Sequence, residues 1–142
     1  KIKKEVLTAG MHGSTFGGNP LVCAASLAVF KAIKKEKLLT NTIRMGELLD
    51  QEFEKLKAKY PVIESTRGVG LMKGLKLKEP SASYANEARE QGLLINATQG
   101  DILRIMPPMT TTAKEIKLAM KILDNVFKKL QTKTEGSTCS NH

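Results

Sequence analysis

From Pro20 to Lys37 the chain is apolar on nearly every helical face, through Leu21, Val22, Ala24, Ala25, Leu27, Ala28, Val29, Phe30 and Ile33. A helix with no polar side expects to be covered all round. The chain has 142 residues, about one domain, and a domain of that size can hardly wrap such a helix by itself. The pattern therefore predicts a covering surface from a larger assembly, since a bare apolar patch of about 300 to 600 Å² is already at the limit for a monomer. Asn19 at the N-cap and Pro20 at the first helical position mark where the helix begins.

The loop before it, Met11-His12-Gly13-Ser14-Thr15-Phe16-Gly17-Gly18, combines hydroxyls with glycines that let a ligand lie close to the main chain. Unpaired amides and the helix dipole both favour negative charge at such a place. Pro20 lacks an N–H and the Asn19 side chain competes for another, so an anion there would rely on Ser14, Thr15 and the glycine-turn amides. Residue chemistry alone thus implies a phosphate or carboxylate loop.

Beyond the first helix, Met45, Leu49, Phe53, Leu56 and Tyr60 form one stripe and predict a second helix over Thr40 to Tyr60, ended by Pro61. Val62 to Thr66 and Val69 to Leu77 read as strands, with a tight bend allowed by Gly68 and Gly70 and with Leu71, Leu75 and Leu77 on one face. A short helix, Ser81 to Gln91, stops at Gly92. Leu93 to Ala97 and Ile102 to Met106 predict a hairpin around Thr98-Gln99-Gly100-Asp101, closed by Pro107-Pro108. Thr112 and Glu115 have capping-box spacing ahead of a final helix that carries Ile116, Ala119, Met120, Leu123, Val126, Phe127 and Leu130 on one face. The sum is an α+β layer, a small and mostly antiparallel sheet with helices on one side, preceded by a connecting helix.

The charge needs a separate reading. Twenty-three Lys and Arg against 14 Asp and Glu give +9, which raises nucleic acid or an acidic surface as a partner. The lysines are scattered, with Lys34-Lys35 and Lys128-Lys129 the doublets within the fold, and aromatics for base stacking are only 4%. A solvated lysine surface follows, with no nucleic acid. No apolar run approaches the roughly 18 residues of a membrane helix, so no membrane is expected. Cys23 in the apolar helix reads as core packing, and Cys139 lies in a polar tail. Two such cysteines make no disulfide framework, and a reducing, cytoplasmic setting follows. His12 and His142 stand too far apart to build a metal cluster.

The decamer His12-Gly13-Ser14-Thr15-Phe16-Gly17-Gly18-Asn19-Pro20-Leu21 resembles the signature with which class III aminotransferases, pyridoxal 5'-phosphate enzymes of fold type I, enter the helix joining their two domains. The similarity continues through Gly68-Val69-Gly70-Leu71-Met72-Lys73-Gly74, Gly92-Leu93-Leu94-Ile95-Asn96 and Leu103-Arg104-Ile105-Met106-Pro107-Pro108, from about Val6 to about Leu130. Within the class the wording is most similar to members acting on N-acetylornithine.

The resemblance implies a carboxy-terminal portion divided as 1–19, the end of a large-domain segment with the cofactor-phosphate loop; 20–37, the interdomain helix; 38–131, the small α+β domain; and 132–142, a disordered tail. It implies transfer of an amino group from N-acetylornithine to 2-oxoglutarate in arginine biosynthesis. It also implies that the Schiff-base lysine and the aspartate facing the pyridine nitrogen lie outside this chain, so that no catalytic residue is assigned here and the chain alone is inactive.

By the same resemblance Thr15 donates its hydroxyl to the cofactor phosphate of the neighbouring subunit, which makes a homodimer and the large domain the expected partners. Ser14 and Arg104 match positions that contact small-molecule substrates, Arg104 through a carboxylate. Asn96 is a further candidate for the active-site face. Each has a plainer reading: Thr15 and Ser14 as turn hydroxyls bonding their own backbone, Arg104 as a surface strand arginine. Arg67 reads equally as a structural ion-pair residue and is not assigned. His12 could be a general base on chemistry alone, but the family uses the lysine, so His12 reads as structural. The competing functions are a non-catalytic binding module of the same fold, or a class III relative acting on ornithine, succinylornithine or 4-aminobutyrate.

Overall fold

The computed structural model describes residues 8, 10, 11 and 13–137, with the side chains of 133–137 left aside. His12, Cys139, His142 and the opening segment 1–7 lie outside the described residues. The chain divides into two compact units, Lys1–Lys37 and Leu38–His142.

The first unit contains the loop and α1 (Pro20–Lys35). None of the α1 residues is buried, and Leu21, Leu27, Val29 and Phe30 are all exposed. Cys23 is exposed as well, which corrects its assignment to core packing. The reason is simple: among the described residues of this unit, one helix and one loop supply no second layer for a core.

The second unit runs α2 (Leu38–Lys59), β1 (Ile63–Val69), β2 (Met72–Leu77), α3 (Ala82–Glu90), β3 (Asn96–Thr98), β4 (Ile102–Ile105) and α4 (Ala113–Ser137). Its sheet has the order β1-β2-β4-β3, with every neighbouring pair antiparallel. Alternation along β2 sends Leu71, Lys73, Leu75 and Leu77 to the helical side, where they join Leu103 and Ile105 of β4. The stripe Met45, Leu49, Phe53, Leu56 and Tyr60 packs there as the sequence predicts, with Ile116, Met120, Leu123, Val126 and Phe127 of α4. Phe127 lies between two aromatic rings, Tyr60 at 5.3 Å and Tyr84 of α3 at 4.9 Å between centroids. The helices thus cover one face of the sheet and leave the other bare.

Lys73 is a charged intruder in this core, only 6% exposed. Its ammonium reaches both carboxylate oxygens of Asp50 on α2, at 2.6 and 2.7 Å. The buried stem packs while the head finds a countercharge at the core's edge.

Three expectations change in detail. The strand before the first hairpin does not break at Gly68. It continues to Val69 and turns at Gly70-Leu71, because Gly68 (φ 124) stays paired with Lys73, and a Cβ there would strike the Met72 carbonyl. Leu93 to Ile95 are not strand. The Leu93 N–H bonds the Ala88 carbonyl (2.8 Å) and the Gly92 N–H bonds that of Arg89 (3.0 Å), so the C-terminal cap of α3 takes the donor a ladder would need. Finally, α4 extends through residues 132–137, where the sequence suggests a polar tail. The Thr132 hydroxyl donates to the carbonyls of Lys129 (2.9 Å) and Lys128 (3.3 Å), within the helix. The capping box that starts α4 is as expected, with Glu115 Oε2 accepting the Thr112 N–H at 2.8 Å and Thr112 Oγ1 accepting the Glu115 N–H at 3.3 Å.

Gly46 of α2 lies against the turn of the first hairpin, where an added Cβ would meet the Gly70 carbonyl oxygen at 2.5 Å. Backbone cannot yield as a flexible side chain can. Gly46→Ala should therefore cost about 1–3 kcal/mol in urea unfolding.

One edge of the core, between α2 and α4, is polar. Asp124 of α4 accepts from Lys59 Nζ (2.6 Å) and lies 2.9 Å from the Tyr60 hydroxyl. The Lys59 ammonium first, and the Tyr60 hydroxyl after it, hold the Asp124 carboxyl below its usual 3.8 against the opposing effect of burial. A depressed carboxyl contributes stability that is present above its unfolded value and lost as pH falls through the folded one. Lys59 is pushed above 10.5, chiefly by Asp124, so its share is present below that value and lost as pH rises past it. The stability difference between the wild type and Asp124→Asn should be flat from about pH 5 to 9 and shrink at both ends. Thermal melts across pH would show it.

Candidate cofactor and carboxylate site

In the first unit the loop is built by its own side chains. Ser14 Oγ accepts the Gly17 N–H at 2.8 Å, closing a turn. Asn19, with φ −70 and ψ 152, caps α1 by accepting the Val22 N–H at 3.0 Å, and its amide donates to the Phe16 carbonyl at 2.7 Å. These bonds hold the chain open around Thr15, which is exposed and makes no side-chain hydrogen bond among the described residues. Ser14 accepts through its oxygen and keeps its own O–H to donate. The first turn of α1 carries no acid. A free hydroxyl beside an acid-free helix N-terminus fits a phosphate group.

In the second unit Arg104 sits on β4, on the face the helices leave bare. Its partners in register are Gly74 on β2 and Asn96 on β3, both directly opposite. Residues opposite one another share a face. Asn96, exposed, therefore stands beside Arg104. The strand ends in Pro107-Pro108, and the next segment is tied to α2 by the Asn41 amide, which donates to the carbonyls of Met109 (2.8 Å) and Thr111 (2.9 Å). Arg104 lines an open pocket of about 320 Å³ shared with Arg67, Thr98 and Gln99.

Arg67 is the residue that sequence reasoning passed over. It pairs with Gly74 in register, so one rung of the sheet reads Arg67, Gly74, Arg104, Asn96. The ion-pair role suggested for it is not what it makes. Its Nη2 donates to Gln99 Oε1 at 3.0 Å. The available signal was the Gly68-to-Gly74 segment, but only the true turn at Gly70-Leu71 sets the register that aligns the two arginines. Ser14 and Thr15 belong to the first unit, and Arg104, Arg67 and Asn96 to the second. Among the described residues no group of acids, cysteines or histidines could hold a metal, and no helix is long and apolar enough to cross a membrane.

Known proteins bear on both halves. Acetylornithine aminotransferase of Caldanaerobacter subterraneus subsp. tengcongensis is 39% identical over 132 residues, which cover 92% of this chain and 34% of that protein. Ornithine aminotransferase of Staphylococcus carnosus is 40% identical over 123 residues, covering 87% and 31%. The solved ornithine aminotransferase of Toxoplasma gondii, with pyridoxal phosphate partly occupying its active site, superimposes with a TM-score of 0.83 at 31% identity, over 92% of this chain and 32% of that one. The chain spans about a third of the length of the relatives it matches. Its fold is that of the corresponding part of fold type I pyridoxal-phosphate enzymes. With residues 2–127 also matching the model described as aminotransferase class-III, the chain belongs to the class III aminotransferases.

Proposed function

We propose that this chain is the carboxy-terminal segment of an aminotransferase that moves an amino group from N-acetylornithine, or a related ω-amino donor, to 2-oxoglutarate, as in arginine biosynthesis. Relatives named for N-acetylornithine and for ornithine match at 39% and 40%, which keeps ornithine as the second donor. The observation that carries the reading is how the loop uses its side chains. Ser14 and Asn19 are engaged as acceptors with the amides of Gly17 and Val22, Ser14 keeps its O–H to donate, and Thr15 keeps its whole hydroxyl for a ligand.

Pyridoxal phosphate supplies the electron sink that the transfer requires. This chain binds and orients. Thr15, with the Gly18 amide, would hold the phosphate, since the Gly17 N–H is already given to Ser14, and in a homodimer that phosphate would belong to the partner's cofactor. Ser14 Oγ–H would donate to the substrate. Arg104 would grip a substrate carboxylate through two parallel hydrogen bonds, a geometry lysine cannot copy. No lysine here is assigned the proton transfer, which falls to the large domain.

The test joins the chain to a polypeptide carrying the other two thirds of the Caldanaerobacter relative and follows glutamate formation from N-acetylornithine and 2-oxoglutarate. Activity should require both pieces. Thr15→Ala should weaken cofactor binding about tenfold or more, the loss of one bond to a charged group. Arg104→Lys should raise KM for 2-oxoglutarate about tenfold or more, and kcat less. A substrate-responsive cofactor absorbance from the 142-residue chain alone would refute the reading.

A further inference from the structure

On the helical side of the sheet, away from Arg104, α2 and α4 together wall a groove of about 280 Å³. Glu52, Lys55, Leu56 and Lys59 line it from α2. Lys117, Met120, Lys121 and Asp124 line it from α4. Each set has the spacing i, i+3, i+4, i+7, so each helix gives the groove one continuous face. The two helices run in the same direction, since Leu49 shares a cavity with Ile116, and Lys59 meets Asp124 further along. Leu56 and Met120 form an apolar floor, and lysines stand on both walls. Two helical ridges over an apolar floor are a seat for a third helix.

The two walls differ in charge. On α2 each lysine has an acid within the groove: Lys55 Nζ lies 2.6 Å from Glu52 Oε1, and Lys59 Nζ lies 2.6 Å from Asp124 Oδ1. On α4 Lys117 and Lys121 have none, and neither makes a side-chain hydrogen bond among the described residues. They stand one turn apart, where like charges repel. Lysines that look scattered in sequence are thus gathered here in excess of their counterions. Leu118, 60% exposed, neighbours Lys121 three residues on and Lys114 four residues back, so the α4 wall carries an apolar crest among its lysines.

We propose that this groove docks an acidic amphipathic helix of a partner protein, its apolar stripe over Leu56 and Met120 and two carboxylates, one turn apart, on Lys117 and Lys121. Nucleic acid fits less well. Glu52 and Asp124 would repel a run of phosphates, no aromatic ring lines the groove for a base to stack on, and lysine meets phosphate as a point charge without the fork of an arginine. The groove lies across the sheet from Arg104, so the proposal stands apart from the amino-transfer reading.

The test titrates the 142-residue chain, by fluorescence anisotropy, into a labelled alanine-based helical peptide of about 18 residues. The peptide carries leucines along one stripe and glutamates four apart beside it. It should bind about tenfold more tightly than its glutamine counterpart in about 0.05 M salt. The difference should close in about 1 M salt, where charges are screened within about 3 Å. Replacing the peptide's leucines by alanine should weaken binding by a similar factor. Lys117→Glu with Lys121→Glu should abolish the preference for glutamate and transfer it to a lysine version of the peptide. Lys34→Gln with Lys35→Gln, which removes two charges from α1, should change nothing. All four lysines are exposed, and circular dichroism reports whether each variant keeps its helices. Equal binding of the glutamate and glutamine peptides, undiminished binding without the leucines, a preference that survives the charge reversal, or an equal fall in the α1 variant would overturn the proposal. So would tighter binding to duplex DNA or phosphatidylserine vesicles, or self-association of the chain that the reversal abolishes.

Discussion

The second unit depends on what β2 does with its two faces. Leu75 and Leu103 face each other across β2 and β4, both fully buried, and they hold the centre of the sheet against α2 and α4. Because side chains alternate, burying Leu75 puts Gly74 on the opposite face, between Arg67 and Arg104. The core and the pocket lined by Arg67 and Arg104 are two sides of one register. A slip of one residue would place the arginines among the leucines and cost several kcal/mol for each guanidinium so buried.

Much of this could be read from residue patterns. The amphipathic stripe of α2, the capping box of α4, the Asn19-Pro20 start of α1 and the Gly92 stop of α3 are local signals, and local signals survive folding. What failed was what depends on partners elsewhere in the chain. Gly68 and Gly70 look alike in sequence, yet one continues a strand and the other begins the turn, a choice made by Lys73 opposite and Gly46 behind. Leu93 to Ile95 have strand-like side chains, but the amide of Leu93 was already committed to a helix end. Residues 132–137 are polar without periodicity, which weakens a helix signal without forbidding the helix.

The candidate site shows the same divide. Ser14, Thr15 and Arg104 stand out because they sit in specific motifs. Arg67 does not, because its place beside Arg104 emerges only when three strands are aligned. Similarly, Lys73 gives no hint in sequence that it will be buried, since its partner Asp50 lies 23 residues away. Sequence motifs announce the residues that lie within them more readily than those brought together by register.

The first unit carries a different consequence. A helix of 16 residues without a single buried side chain gains little from tertiary packing, and isolated helices of about that length are marginal in water. Its order rests on the Asn19 cap and on intrinsic propensity. Whatever surface comes to cover α1 would then be selecting a helix as well as contacting one, so that its association and the completion of this segment's secondary structure would be a single thermodynamic event, steeply dependent on how much protein is present.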